Sequence, residues 1–320
     1  MEKIAAVALV LVALQACDGC LERLQHSGVD GGLSQAEQGS GGMQSRAPPS
    51  PIKEVPTQAR LMELAGRVDT SNRYPSGVLV TVEFGQDRRS VCSGAIISRW
   101  LVLTAGHCVC RTRPVTSEPG GTREIIDNSA CARVAEVQTM LYEPAALVVA
   151  TEVPVRRDYL EGEVRPHPEL RILLDEGQVA SSHADLAVII LKEPLSEKFR
   201  PLSLADSEAE LNETLIITGS GHDELSRRYD GERRFSRNRV TEILSSGGGR
   251  MRIEQPGGHH YKGDSGGPCL RESPGGAVLV GVSSRNLGEG EAITSIYEYR
   301  DWLLDEIQHA EENKHPTHVQ

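Results

Sequence analysis

The chain has 320 residues, room for one large all-β domain or two ordinary ones, which excludes a small scaffold held together mainly by disulfides. Its 34 Lys and Arg stand against 45 Asp and Glu, a net charge of −11, and this argues against a nucleic-acid partner, whose phosphates call for a basic face. With 38% hydrophobic and 4% aromatic residues, 32 Gly and 17 Pro, the composition favours strands and turns over a helix bundle.

Residues Ile4 to Leu14 form an unbroken apolar run after Met1-Glu2-Lys3. That length suits the core of an export signal and falls short of the about 20 helical residues a bilayer needs. The run ends in Leu14-Gln15-Ala16-Cys17, which resembles the lipobox of bacterial lipoproteins, with Gln15 where a smaller residue is usual. The resemblance implies a signal peptide over residues 1–16 and a diacylglyceryl group on Cys17. The expected location is the bacterial cell envelope, lipid-anchored to a membrane, with a secreted form as the alternative. Residues 17–67 hold Gly28, Gly31, Gly32, Gly39, Gly41 and Gly42, then Pro48, Pro49, Pro51 and Pro56, and few large apolar residues. Such a segment cannot repay its ordering entropy and reads as a flexible tether and possible pro-segment.

The domain is expected over residues 68–310. Strand-length apolar runs rich in β-branched residues occur at Val78–Phe84, Ala95–Ile97, Leu101–Leu103, Leu186–Leu191, Leu215–Ile217 and Val278–Val282. A helical stripe appears only near the end, where Tyr299, Leu303 and Ile307 recur at i, i+4, i+8 with Trp302 beside them. Many short strands and one terminal helix point to a β-barrel or sandwich. Residues 311–320 read as a polar tail. Trp100, His222 and the pairs Arg227-Arg228 and Arg233-Arg234 read as core or solvated loop.

Three separated segments carry chemistry. Gly263-Asp264-Ser265-Gly266-Gly267-Pro268 sets a Ser among glycines, where backbone N–H groups can approach a developing oxyanion. Leu103-Thr104-Ala105-Gly106-His107-Cys108 puts a His after small residues at the end of an apolar strand. His183-Ala184-Asp185 places an acid at the head of another. Singly, the His suits an ordinary part-exposed residue and the Asp a turn or cap. Together they supply the nucleophile, base and orienting acid of acyl transfer.

From about Arg67 to Ile307 the chain resembles the chymotrypsin/trypsin-like serine proteases. The resemblance rests on the Gly-Asp-Ser-Gly-Gly-Pro block, on Cys92-Ser93-Gly94-Ala95 leading into the His107 segment, and on Arg165-Pro166-His167-Pro168 ahead of Asp185. Thr218-Gly219-Ser220-Gly221 stands where the family has a Gly-Trp-Gly turn, and Gly106 where Ala is usual. What it implies is an all-β fold of two six-stranded antiparallel barrels with the site between them and a C-terminal helix. Function follows as serine endopeptidase chemistry on a polypeptide substrate, with no metal or cofactor. Ser265 would be the nucleophile, His107 the base, Asp185 the orienting acid, and the N–H groups of Gly263 and Ser265 the oxyanion hole. Asp264 would pair with an α-amino group freed by an activating protease. The family's Ile-Val-Gly-Gly start is missing, and Arg67-Val68 is the nearest junction that could free one, from Val68.

The resemblance also implies a Cys92–Cys108 disulfide around the histidine loop, and the long stretch that follows suggests Cys110–Cys131 as a second. Cys20 and Cys269 have no expected partner. At the expected pocket base His259 replaces the Asp of the trypsin-like branch, with His260 and Lys262 nearby, Tyr261 where a Cys is usual, and Arg285 and Asn286 on the pocket wall where Trp and Gly are common. Cleavage after basic residues is therefore not expected, and an acidic or a small apolar side chain fits better. Three rivals remain. An α/β-hydrolase orders its triad Ser, acid, His, against the order here. A zinc site on His107, Cys108, Cys110 and Cys131 would consume the base. A catalytically weak or inactive binding module would retain the fold without the activity.

Overall fold

The computed structural model describes residues 66–85, 88–117, 121–143, 154–221, 231–244, 249–254, 264–285 and 291–314. In chain order its elements are β1 (Arg67–Val68), β2 (Gly77–Glu83), β3 (Arg89–Ser98), β4 (Leu101–Thr104), α1 (Gly106–Val109), β5 (Cys110–Ser117), β6 (Gly121–Cys131), β7 (Val134–Tyr142), β8 (Val155–Pro166), β9 (Arg171–Asp175), β10 (Gln178–His183) and β11 (Ala187–Leu191). There follow β12 (Ser203–Leu204), β13 (Thr214–Gly219), β14 (Arg234–Leu244), β15 (Arg250–Ile253), β16 (Pro268–Ser273), β17 (Gly276–Ser283), β18 (Glu291–Ser295) and α2 (Arg300–Lys314). Each apolar run marked in the sequence falls on one of these strands, with Phe84 and Leu186 just beyond the ends of theirs.

Two closed antiparallel barrels result, as the family resemblance implies. The first runs β11-β4-β3-β2-β7-β8 and closes through β8 onto β11. The second runs β14-β13-β16-β17-β18-β15 and closes through β15 onto β14, with β1 added to β14 and β12 lying parallel to β17.

Side-chain alternation divides the apolar residues of each strand between two compartments. On β4, Val102 fills the first barrel while Leu101 and Leu103 face the layer between the barrels. On β11, Ala187 and Ile189 point inward and Val188 outward. Burial on both faces explains why these strands read as continuous apolar runs instead of alternating ones. The shared layer also takes Ile216, Leu270, Leu279 and Val282 from the second barrel, and Tyr299, Leu303 and Ala310 from the C-terminal segment.

Between α1 and β11 the chain builds a separate four-stranded sheet, β10-β9-β6-β5. Disulfides link Cys92 to Cys108 and Cys110 to Cys131, both as expected, the second joining the start of β5 to the end of β6. Cys269 is fully buried. The helix α2 continues past Ile307 to Lys314, four residues into the stretch expected as a polar tail. Its Glu- and Lys-rich end favours helix, Gln308 donates to Glu312 at 2.7 Å, and Ala310 is fully buried.

Candidate active site

The first barrel contributes a base and an acid. β4 ends at Thr104, and after Ala105 the single turn α1 begins, which puts His107 at the rim of the barrel. Asp185 sits two residues before β11, whose pairing with β4 brings Ala187 opposite Thr104. The acid and the base thus meet at the same ends of neighbouring strands. His107 Nδ1 lies 2.8 Å from Asp185 Oδ2, and the His107 backbone N–H donates to Asp185 Oδ1, also at 2.8 Å. With an ionised acid as acceptor, Nδ1 carries the ring proton and Nε2 is left with its lone pair.

Asp185 is 1% exposed. Burial pushes its pKa up, but the His107 charge, the ring hydrogen bond, the Ser284 hydroxyl and the His107 N–H overcome this and hold it at about 2. Ser284 Oγ donates to Asp185 Oδ2 at 2.6 Å. The sequence pattern does not reveal this partner, although Ser284 directly precedes Arg285 in the run assigned to the pocket wall. The backbone also turns sharply into the acid: Ala184 has φ 48°, a left-handed conformation costly for a residue with a Cβ. Its N–H donates to the Tyr299 hydroxyl at 3.0 Å.

The second barrel brings Ser265 to the same place. The turn from Asp264 to Gly267 leads into β16 and is pinned from both barrels. Ser93 N–H on β3 donates to the Ser265 carbonyl at 2.8 Å, and Gly266 N–H donates to the Ser283 carbonyl on β17 at 2.7 Å. The Ser265 carbonyl stands 3.6 Å from Cys108 Sγ, which is 3.9 Å from His107 Nε2. Gly266 has φ 80°, and a Cβ there would meet Thr104 Oγ1 at 2.2 Å, so the turn can come this close to β4 only with glycine.

Asp264 turns towards the end of β13. Its Oδ1 accepts the Gly221 N–H at 2.8 Å and lies against Gly219, where a Cβ would come within 2.1 Å. Burial pushes its pKa up to about 7, against the Gly221 hydrogen bond and the charge of Arg234. Val68 pairs with Arg234 across β1 and β14, and Arg234 pairs with Gly219 across β14 and β13. With the chain intact at Arg67-Val68, Val68 is therefore two strands across from the glycine that Asp264 touches.

Of the pocket residues, Arg285 is part-buried at the end of the β17 segment, and its carbonyl accepts Arg250 Nη2 at 3.1 Å. Gly263, His259, His260, Lys262, Tyr261, Asn286, His222, Cys20 and Cys17 lie outside the described residues. Cys92, His107 and Cys108 cluster closely enough to suggest metal ligands, but both sulfurs belong to one disulfide. The Cys110–Cys131 bond likewise takes up the remaining thiols of the zinc reading.

Residues 66–303 match the model of the Trypsin family. The chain belongs to the trypsin family. A CLIP domain-containing serine protease B15 of Anopheles gambiae is similar, 25% identical over 255 residues, which cover 72% of this chain and 65% of that protein. Trypsin is a family of serine-type peptidases, and membership accounts for the paired barrels.

Proposed function

We propose that the chain is an active serine endopeptidase with Ser265 as nucleophile. The observation that carries this reading is the bonded pair His107–Asp185, with the Ser265 carbonyl 3.6 Å from the Sγ of Cys108, the neighbour of His107. Ser265 Oγ attacks the scissile carbonyl while His107 Nε2 takes its proton, later returning it to the leaving amine. Asp185 keeps the proton on Nδ1 and stabilises the imidazolium. The N–H groups of Gly263 and Ser265 receive the oxyanion, and losing one such donor typically costs about 2.7 to 4 kcal/mol of transition-state stabilisation. Casein hydrolysis by the purified protein tests the proposal. It should vanish in Ser265→Ala and His107→Ala, whereas a wild type that binds peptides without cleaving them supports the binding-module reading.

Three further features belong to the same proposal. The signal-like run and Cys17 support export and lipid anchoring, since several acyl chains hold a protein far more firmly than one. Mass spectrometry of the N-terminal peptide from the native host should show a diacylglyceryl adduct, and Cys17→Ser should release the protein to the soluble fraction. An activating cleavage at Arg67-Val68 would free an amine for Asp264, and N-terminal sequencing of the active form checks it. The cationic or neutral set His259, His260, Lys262 and Arg285 suits an acidic substrate side chain, which could accept charge-assisted hydrogen bonds. Peptide-library profiling decides this, because dominant cleavage after Arg or Lys would refute it.

A further inference from the structure

Ala184, the residue before Asp185, is 1% exposed and has φ 48°. A residue with a Cβ keeps that left-handed conformation only where its surroundings impose it. Leu186 N–H donates to the Ala184 carbonyl at 2.7 Å, which makes a three-residue turn with Asp185 at its centre. The direction of the Asp185 carboxylate towards the ring and backbone N–H of His107 thus depends on how Ala184 is held.

The hold comes from the C-terminal segment. Tyr299 Oη accepts the Ala184 N–H at 3.0 Å, from 115 positions along the chain. Tyr299 is itself fixed: it is 6% exposed, its N–H donates to the Ile296 carbonyl at 3.1 Å, and its carbonyl accepts the Leu303 N–H of α2 at 3.0 Å. The His167 ring meets it edge-on with centroids 5.0 Å apart, and meets Trp302 of α2 in the same way at 4.6 Å. His167 N–H donates to the Leu186 carbonyl at 2.9 Å, so both ends of the Asp185 turn are tied to this aromatic group.

We propose that Tyr299 is a positioning residue of the protease site, whose hydroxyl holds Ala184 in the left-handed conformation and so aims Asp185 at His107. This rests on the endopeptidase reading above. Without the hydroxyl, the Ala184 N–H is buried and unsatisfied, the backbone relaxes towards an ordinary negative φ, and the carboxylate is carried off its line to Nδ1. Glycine at this position removes the drive to relax, because it takes positive φ without strain. Tyr299→Phe keeps the ring against His167 and Trp302 and removes only the oxygen, which separates positioning from packing.

In Tyr299→Phe, kcat on a peptide substrate should fall on the order of tenfold while KM stays close to wild type. The fall should be smaller when the same substitution is made in an Ala184→Gly background. NMR of the His107 Nδ1 proton in a Ser265→Ala background needs no hydrolysis. Its resonance should move upfield in Tyr299→Phe as the bond to Asp185 lengthens, and by less when Ala184→Gly is also present. If Tyr299→Phe does not fold, Tyr299→Met repeats the comparison. Unchanged kcat and an unmoved resonance in the variant that folds would overturn the proposal, as would equal losses with and without Ala184→Gly. A wild type without hydrolysis would instead remove the endopeptidase reading, and the resonance would still judge Tyr299.

Discussion

Arg233 Nε lies 3.0 Å from Asp69 Oδ2, with the two side chains 1% and 0% exposed. Arg233 also donates to the Met140 carbonyl at 2.8 Å and to Asn72 Oδ1 at 3.2 Å. Asp69 in turn accepts the N–H groups of Arg73 and Tyr74 at 2.7 and 2.9 Å. This buried pair ties the segment ahead of the first barrel to the head of β14. Removing one partner leaves the other charge buried and uncompensated, so Arg233→Met or Asp69→Asn should each destabilise the domain by about 3 to 5 kcal/mol. The double variant should cost less than the sum of the two, and urea unfolding of all four proteins measures the difference.

Asp264 and Asp185 should make opposite contributions to pH stability. Asp264 is raised to about 7 in the folded chain, above the about 4 of an unfolded Asp, so its contribution is fully present below about pH 4 and is lost as the pH rises through 7. Asp185 is held at about 2, so its contribution is present above about pH 4 and is lost as the pH falls through 2. Asp264→Asn should therefore lose less stability than wild type between pH 5 and pH 8. Urea midpoints at the two pH values check this, and parallel losses in both proteins would refute it.

The Cys110–Cys131 bond closes a separation of 21 residues on the added four-stranded sheet. In the chain-entropy model it contributes about 3 kcal/mol. The double variant Cys110→Ser/Cys131→Ser should lose about that much in thermal or urea unfolding. Fluorophosphonate labelling of Ser265 should persist under conditions where the variant is folded, because the bond lies outside the His107–Asp185 contact and the turn that carries Ser265.

The His107–Asp185 contact and the tight turn at Ser265 are foreshadowed in the sequence because each residue lies in a short contiguous motif, and the barrels because strands such as β4 and β11 are apolar on both faces. The added sheet is not, since its strands mix Arg113, Glu124, Arg171 and Asp175 with few apolar residues and look like solvated loop. Arg233 reads, beside Arg234, as core or loop. Its fate depends on Asp69, 164 positions away, a relationship no local pattern carries. Ser284 escapes sequence reasoning for the same reason, because its contact with Asp185 spans 99 positions of the chain.

Labelling with a fluorophosphonate tests the central claim most directly, because the reagent reports a competent Ser265 without knowledge of the substrate. The full chain, processed in its native host, should acquire one covalent phosphonate on the peptide that contains Ser265, and Ser265→Ala should acquire none. Absence of label on properly folded, processed wild type, or label that persists in Ser265→Ala, would contradict the account.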